Sequence, residues 1–409
     1  MLGGWTQSSK VMRNISTYKF FAKRIKKGSA VTSLALLGCF LFACSYSDPV
    51  HHVYPGDDIQ AVLDRAASHP HHKRVVVHSG TYRPSKHRQA LIALNKQHDG
   101  IILEAEGDVT LTAANSQIAQ EEDEGYPAVV NHVVYFGDGI SSKTILRGFK
   151  ITGANNHIIF SEAPEFMIQP EVAELEKHKL FFYADGGGIK IFGRSFPTIE
   201  DCVIHDNYAS PCAGGVSIEH KGTIGKNAVR FSNCIFRNNS CPINGAGIDM
   251  LRGSAAVVEN CLFVDNKSNS NHDTRSSKVP PWRPKRGGGT LTIFPTSRVV
   301  VKNCTFTGNR NGVDDSGVNS IFEDCIFWMN NAPGGWLTAP RYEFDIKDAD
   351  GVRRCFLQGE TIDLFGTLNP EENVLGCPDP KFDAAYRPQA VGFEKAGYRP
   401  VVRDTSKSR

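Results

Sequence analysis

Between Ile199 and Leu357 the chain repeats one short phrase six times, centred on Cys202, Cys234, Cys261, Cys304, Cys325 and Cys355. Three residues before each Cys stands Ile199, Phe231, Val258, Val301, Phe322 or Val352, and two residues after it Ile204, Phe236, Phe263, Phe306, Phe327 or Leu357. Five residues after, the first five copies carry Asn207, Asn239, Asn266, Asn309 and Asn330, and the sixth has Glu360. A phrase that returns every 21 to 43 residues marks a solenoid, each copy being one coil that buries its apolar face against the next.

The apolar positions alternate with a period of two, which belongs to strands and not to helices. The phase breaks just before the Cys, where Asp201, Asn233, Asn260, Asn303 and Asp324 stand in the first five copies. Asn and Asp tolerate left-handed backbone geometry and suit a sharp corner between two short strands. Equivalent side chains of successive coils then stack at about 4.8 Å, giving an internal Cys ladder, an aromatic ladder and an Asn ladder. A second alternating element with a Gly-rich start recurs between the Cys phrases, as in Gly188-Ile189-Lys190-Ile191, Gly215-Val216-Ser217-Ile218 and Gly247-Ile248-Asp249-Met250. The fold expected is all-β, a parallel β-helix.

Residues 53–60 (Val53-Tyr54-Pro55-Gly56-Asp57-Asp58-Ile59-Gln60), a helical stretch over 61–67, Val75-Val76-Val77 and Ser79-Gly80-Thr81-Tyr82 resemble the entry of the pectin-lyase-like, right-handed parallel β-helix superfamily. The resemblance spans about residues 50–390. It implies a right-handed solenoid with an N-terminal capping helix, and no single activity, since that superfamily holds lyases, hydrolases, epimerases and adhesins. The alternation of Phe-x-x-Asn with Gly-Gly-apolar is similar to the repeats of polymorphic outer-membrane adhesins.

The expected organisation is a signal peptide with lipobox over 1–44, an N-terminal cap and first coil over 45–95, the β-helix over 96–365 and a C-terminal cap and tail over 366–409. The leader has a basic region (Lys19, Arg24, Lys26, Lys27) and an apolar run over 30–43, too short to span a bilayer comfortably. Its end, Leu41-Phe42-Ala43-Cys44, resembles a bacterial lipobox, which implies lipidation of Cys44, a lipid-anchored, exported protein, and a cell-envelope address. With 46 Lys+Arg against 43 Asp+Glu the charge is too balanced to argue for nucleic acid. The ladder cysteines are expected to stay thiols, because strand spacing exceeds the roughly 3.5–4.5 Å between Cβ atoms that a disulfide requires. Cys212 and Cys241, each in the loop before a Gly-rich strand of successive coils, are the expected disulfide.

The outward positions of the Gly-rich strand form columns: Lys190, Ser217, Asp249 and Thr292, then Phe192, Glu219, Leu251 and Phe294, with Arg194, His220 and Arg252 just beyond. Acids, bases and flat rings on one face suit a polysaccharide. The candidate catalytic residues are therefore Lys190, Asp249, Glu219 and Arg252. The candidate substrate-binding residues are Ser217, His220 and Thr292, with Trp282 and Arg283 from the long insertion over 267–286. Lyase chemistry would use Lys190 or Arg252 as base, with Asp249 and Glu219 as partners or as ligands of Ca²⁺. Inverting hydrolysis would use Asp249 and Glu219 about a water. Gly312-Val313-Asp314-Asp315 resembles the paired Asp of polygalacturonases, but that family's Asn-Thr-Asp, Gly-His-Gly and Arg-Ile-Lys are missing, as is the Arg-x-Pro-x-x-Arg of pectate lyases. The expected function is binding or processing of an envelope polysaccharide, by a lyase or a hydrolase of acidic glycans; the alternative is a non-catalytic adhesion or scaffold rod.

Overall fold

A computed structural model describes residues 50–69, 71, 73–156, 185–270, 288–331, 342–358, 364–365 and 367–401. Within them each full coil contributes three short strands. One coil is Ile189–Phe192, Thr198–Glu200 and Val203–His205; the next is Val216–Glu219, Val229–Ser232 and Ile235–Arg237. Each strand pairs in parallel with its equivalent, placing Ile189 beside Val216, Ile199 beside Phe231 and Ile204 beside Phe236. Nine strands of the first kind stack into one wall, from Arg88–Leu94 to Leu364–Phe365. The strands before and after each cysteine form a pre-cysteine and a post-cysteine wall. These two share a sheet because Ile102–Thr112 runs through both, pairing with Ile145–Arg147 by one half and Lys150–Thr152 by the other.

The corner between those two walls is where the phase break falls. Asp201, Asn233, Asn260, Asn303 and Asp324 all have φ between 49° and 54°, and Arg354 takes the same conformation at 52° in the sixth copy. The corner side chains link the coils. Asn233 donates to Asp201 Oδ1 at 3.0 Å and Asn260 to Asn233 Oδ1 at 2.8 Å, while Arg354 grips Asp324 through two bonds of 2.8 and 2.9 Å.

The three internal ladders form as the repeat predicts. The six phrase cysteines are fully buried free thiols, and each donates to backbone carbonyls, as Cys304 does to Lys302 O at 3.2 Å. Phe236, Phe263, Phe306 and Phe327 stack with centroids 4.5, 4.4 and 5.0 Å apart. Each ladder Asn donates to the next Asn Oδ1 and to a backbone carbonyl of the preceding coil; for Asn266 these are Asn309 and Phe236 O, both at 2.9 Å. The buried amides thus satisfy backbone groups at a bend where no strand partner exists. Glu343 ends the ladder, accepting from both the backbone and the side chain of Asn330.

At both ends the chain departs from the coil repeat. Asp58 caps the helix Ile59–Ala67 by accepting from Gln60 N and Ala61 N, and Ile59, Val62, Leu63 and Ala66 join the same core as the first strands. After Val374–Leu375, which adds to the post-cysteine wall, the chain turns back along the outside of the solenoid. Asn303 donates to Lys395 O at 2.7 Å, Gly397 N to Asp324 O at 2.8 Å, Tyr398 N to Thr305 Oγ1 at 2.9 Å and Arg399 N to Asn260 Oδ1 at 2.8 Å. Phe393 and Ala396 cover Ile326, and Tyr398 covers Leu262 and Val264.

Candidate active site on the nine-stranded wall

The strands of the nine-stranded wall enter through Gly-rich bends because successive backbones touch there. A Cβ at Gly215 would lie 2.4 Å from the Gly247 carbonyl oxygen. From this entry the alternation turns every second side chain outward, and the register lines them up: Tyr135, Lys190, Ser217, Asp249, Thr292, Asp314 and Asp345 stand on consecutive rungs. The column is the expected one, but its setting is not. It points away from the core and is nonetheless closed off: Lys190 and Ser217 have no exposure, and Asp249 has 2%. Strand parity tells which way a side chain points, not whether something lies over it.

Burial of charge demands partners, and three of those of Lys190 lie among the described residues. Its ammonium donates to Asp185 Oδ1 at 2.7 Å, Glu219 Oε2 at 3.1 Å and Ser217 Oγ at 3.3 Å. Ser217 donates in turn to Asp185 Oδ2 at 2.7 Å, and Lys221 pairs with Glu219 Oε1 at 2.9 Å. Burial opposes the Lys190 charge, but Asp185 and Glu219 outweigh it and hold its pKa above the ordinary lysine value. Burial likewise opposes the Glu219 charge, and Lys190 and Lys221 hold that carboxyl below its usual value. Asp249 is the opposite case: burial, then the nearby negative charge of Asp185, push it well above the usual range. It accepts from Asn244 Nδ2 at 2.8 Å. One wall therefore holds a carboxyl shifted below its usual value, Glu219, and one shifted above it, Asp249. Environments that drive two acids apart in this way are the usual physical basis for an acid and a base in one site.

His132 adjoins this cluster. Its Nδ1 lies 2.8 Å from Gly186 O and its Nε2 2.9 Å from the Gln89 amide nitrogen, so a ring donating from Nδ1 and accepting at Nε2 satisfies both. Burial and then the Lys190 charge push its pKa down to about 3.

Of the expected residues, the structure brings Lys190, Ser217, Glu219 and Asp249 together and sets Thr292 on the next rung, where its hydroxyl donates to Gly289 O at 3.2 Å. His220 is drawn elsewhere: its Nε2 meets Ser195 O at 2.8 Å, its Nδ1 accepts from Ala255 N at 3.2 Å, and its ring lies against Phe196. Both nitrogens are thus committed to holding backbone. Arg252 is exposed in the turn after Ile248–Met250, and Arg194 pairs with Asp138. The expected solvated aromatic column is also corrected, Phe192 being buried and Leu251 and Phe294 half-buried. Trp282, Arg283 and Cys44 lie outside the described residues.

The expected Cys212–Cys241 disulfide is absent. Both are buried thiols, and both turn to one residue: Cys212 Sγ donates to Asn244 Oδ1 at 3.5 Å and Cys241 Sγ to Asn244 O at 3.1 Å. Asp185, Asn244 and His132 are the members of the site that sequence reasoning missed. Asp185 and Asn244 each stand five residues before an outward residue, across the Gly-rich bend, and reach it only because the bend doubles back. Among the described residues no three His, Cys, Asp or Glu side chains are grouped to hold a metal ion.

In sequence comparison, a family described as right-handed β-helix region matches residues 92–279 and 188–341. No curated protein and no solved structure matches the chain.

Proposed function

The chain belongs to the right-handed parallel β-helix family, and from that premise we propose that it processes polysaccharide at the outer face of the nine-stranded wall, by hydrolysis and not by elimination. What supports this is that Asp249 and Glu219 stand on neighbouring strands of one wall in opposed environments, burial and Asp185 raising the first carboxyl while Lys190 and Lys221 lower the second. Asp249 pairs with Ser217 in register, and Glu219 is two residues beyond Ser217 on the same strand. One rung of about 4.8 Å and two residues of about 3.3 Å each separate their Cβ positions by roughly 8 Å; an inverting pair needs roughly 6.5–9.5 Å between its carboxyl groups to leave room for a water. Asp249 gives its proton to the leaving glycosidic oxygen as the anomeric C–O bond breaks. Glu219 takes a proton from the water that bonds to the anomeric carbon, and Lys190 with Asp185 fixes Glu219 in place. Elimination is disfavoured because Lys190, charged between two carboxylates, has no lone pair to abstract a carbon-bound proton. The wall must open to admit a sugar chain, since the acids are buried.

That closure favours a second reading, in which the chain is an adhesion or scaffold rod and the buried ions serve to fix the register of the coils. Both readings have the protein exported and anchored in the bacterial cell envelope by lipid on Cys44, on the strength of the basic and apolar leader; lipid labelling that persists in Cys44→Ser would contradict the anchor. The two readings part on one test. Purified mature protein that releases reducing ends from a polysaccharide, and loses this in Asp249→Asn, supports hydrolysis. Glycan retention without any product supports the rod.

A further inference from the structure

The charge of the chain nearly cancels as a whole, but it is unevenly placed. Residues 50–98, which build the capping helix and the first coil, hold seven Lys and Arg against three Asp, and between Arg65 and His98 there is no acid at all. Residues 99–409 hold 32 Lys and Arg against 39 Asp and Glu. The first coil is therefore cationic and the sequence after it anionic. The three acids of the cap are engaged within it. Asp57 accepts from Tyr54 N at 2.8 Å and Asp58 from Gln60 N and Ala61 N, while Asp64 Oδ1 accepts from Gln60 Nε2 and meets His98 Nε2, both at 2.9 Å.

The exposed cations flank the helix that closes this end. Arg65 stands on its last turn, next to Ala66, which enters the core. Arg83 and Lys86 lie in the connection between Arg74–Tyr82 and Arg88–Leu94, and Arg83 shares a cleft of about 280 Å³ with Asp58 and Ile59 at the helix start. All three side chains are exposed and form no ion pair among the described residues. The outward cations of the next coils are matched instead: Arg147 meets Glu104 and Glu200, and Lys150 meets Asp108. A cationic end with its charge unspent calls for an anionic surface. Six residues separate Cys44 from Val50, and an extended chain of that length reaches about 20 Å, so lipid on Cys44 would hold this end within that distance of a bilayer. We infer that the first coil docks on the anionic headgroups of a membrane through Arg65, Arg83 and Lys86. The same headgroups repel the net negative chain that follows, which turns the solenoid cap-first to the bilayer. The inference rests on the lipid anchor for its setting and is independent of hydrolysis at the nine-stranded wall.

Co-sedimentation of the mature chain, kept free of lipid as Cys44→Ser, with vesicles of phosphatidylcholine alone or mixed with phosphatidylglycerol tests the surface apart from the anchor. Binding is expected only where phosphatidylglycerol is present, and it should fall as salt screens the exposed charges. Each Lys or Arg near such a surface contributes about fivefold in affinity, so Arg65→Gln, Arg83→Gln and Lys86→Gln combined should weaken binding on the order of a hundredfold. Lys226→Gln, Lys267→Gln and Lys395→Gln combined remove the same charge from exposed positions beyond the first coil and should leave binding unchanged. All six positions are exposed, and circular dichroism of both variants should match the wild type. Wild-type binding by the first variant, equal losses in the two variants, or equal binding to phosphatidylcholine alone would each overturn the inference. Lipid labelling of the native chain bears on the anchor alone, so the anchor and the docking surface can fail separately.

Discussion

Replacing Asn266 by Ala cuts the Asn ladder at its middle. The side chain donates to Phe236 O and Asn309 Oδ1, both at 2.9 Å, and its Oδ1 accepts from Asn239 N at 3.0 Å and Asn239 Nδ2 at 3.1 Å. Alanine removes all four bonds and admits no water in exchange, because Asn266 and its ladder neighbours Asn239 and Asn309 have no exposure. At roughly 1 kcal/mol net for each bond the loss is about 4 kcal/mol, a large share of the roughly 5–15 kcal/mol by which a domain is stable. Asn238 is the control. It has the left-handed φ of 50° on the exposed side of the corner and one side-chain bond, to Asp206, so Asn238→Ala should cost about 1–2 kcal/mol, mostly backbone strain. Urea unfolding followed by far-ultraviolet circular dichroism measures both, with hydrogen exchange at the Asn239 amide as a local readout. A loss below about 1 kcal/mol for Asn266→Ala, or equal losses for the two variants, would refute the assignment of structural weight to the ladder.

Three further outcomes follow from the packing. Burial pushes His220 from 6.5 down to about 4, so the unfolded chain binds the extra proton between those values; the stabilisation, roughly 3 kcal/mol, is complete above about pH 6.5 and lost as pH falls towards 4, and a His220→Gln variant should show a flatter stability profile across that window in thermal melts. Gly397 has φ 76°, and a Cβ there would meet Ile326 Cδ1 at 2.5 Å and Thr305 Oγ1 at 2.8 Å, so Gly397→Val should release the C-terminal segment and create a protease-sensitive site near residue 399; wild-type resistance in the variant would show that the segment is held by something else. The thiols of Cys212, Cys241 and the six-cysteine ladder should resist alkylation in native protein and react together on unfolding, since all eight are buried; mass mapping that found Cys212 joined to Cys241 would contradict the Asn244-centred arrangement.

The fold was legible in the sequence because its rules are local. A period of two, broken at Asp201, Asn233 and Asn260, states both the strands and the left-handed corner, and the corner φ values agree. The same parity found the outward column through Lys190, Ser217 and Asp249. It could not find Asp185 or Asn244, whose proximity depends on a bend that folds five residues back on themselves. Nor could it foresee that a column facing away from the core would be closed to solvent, which changes Lys190 from a candidate base into a strut held between Asp185 and Glu219. Cys212 and Cys241 misled for a related reason: matching places in neighbouring loops suggested a bond between them, while Asn244 supplies both thiols with acceptors. Asp345 passed unnoticed because its coil lacks the Gly-rich entry that marks the others, and the chain turns back after residue 377 without a periodic signal at all.

Asp249 and Glu219 are proposed to act as acid and base on a sugar chain. A panel of acidic and neutral polysaccharides, incubated with the mature chain and assayed for reducing ends and for the ultraviolet absorbance of unsaturated products, tests it most directly. The expected result is reducing ends without unsaturation, abolished in Asp249→Asn and Glu219→Gln while both variants keep the wild-type circular dichroism. Unsaturated products, or hydrolysis undiminished in Asp249→Asn, would contradict it.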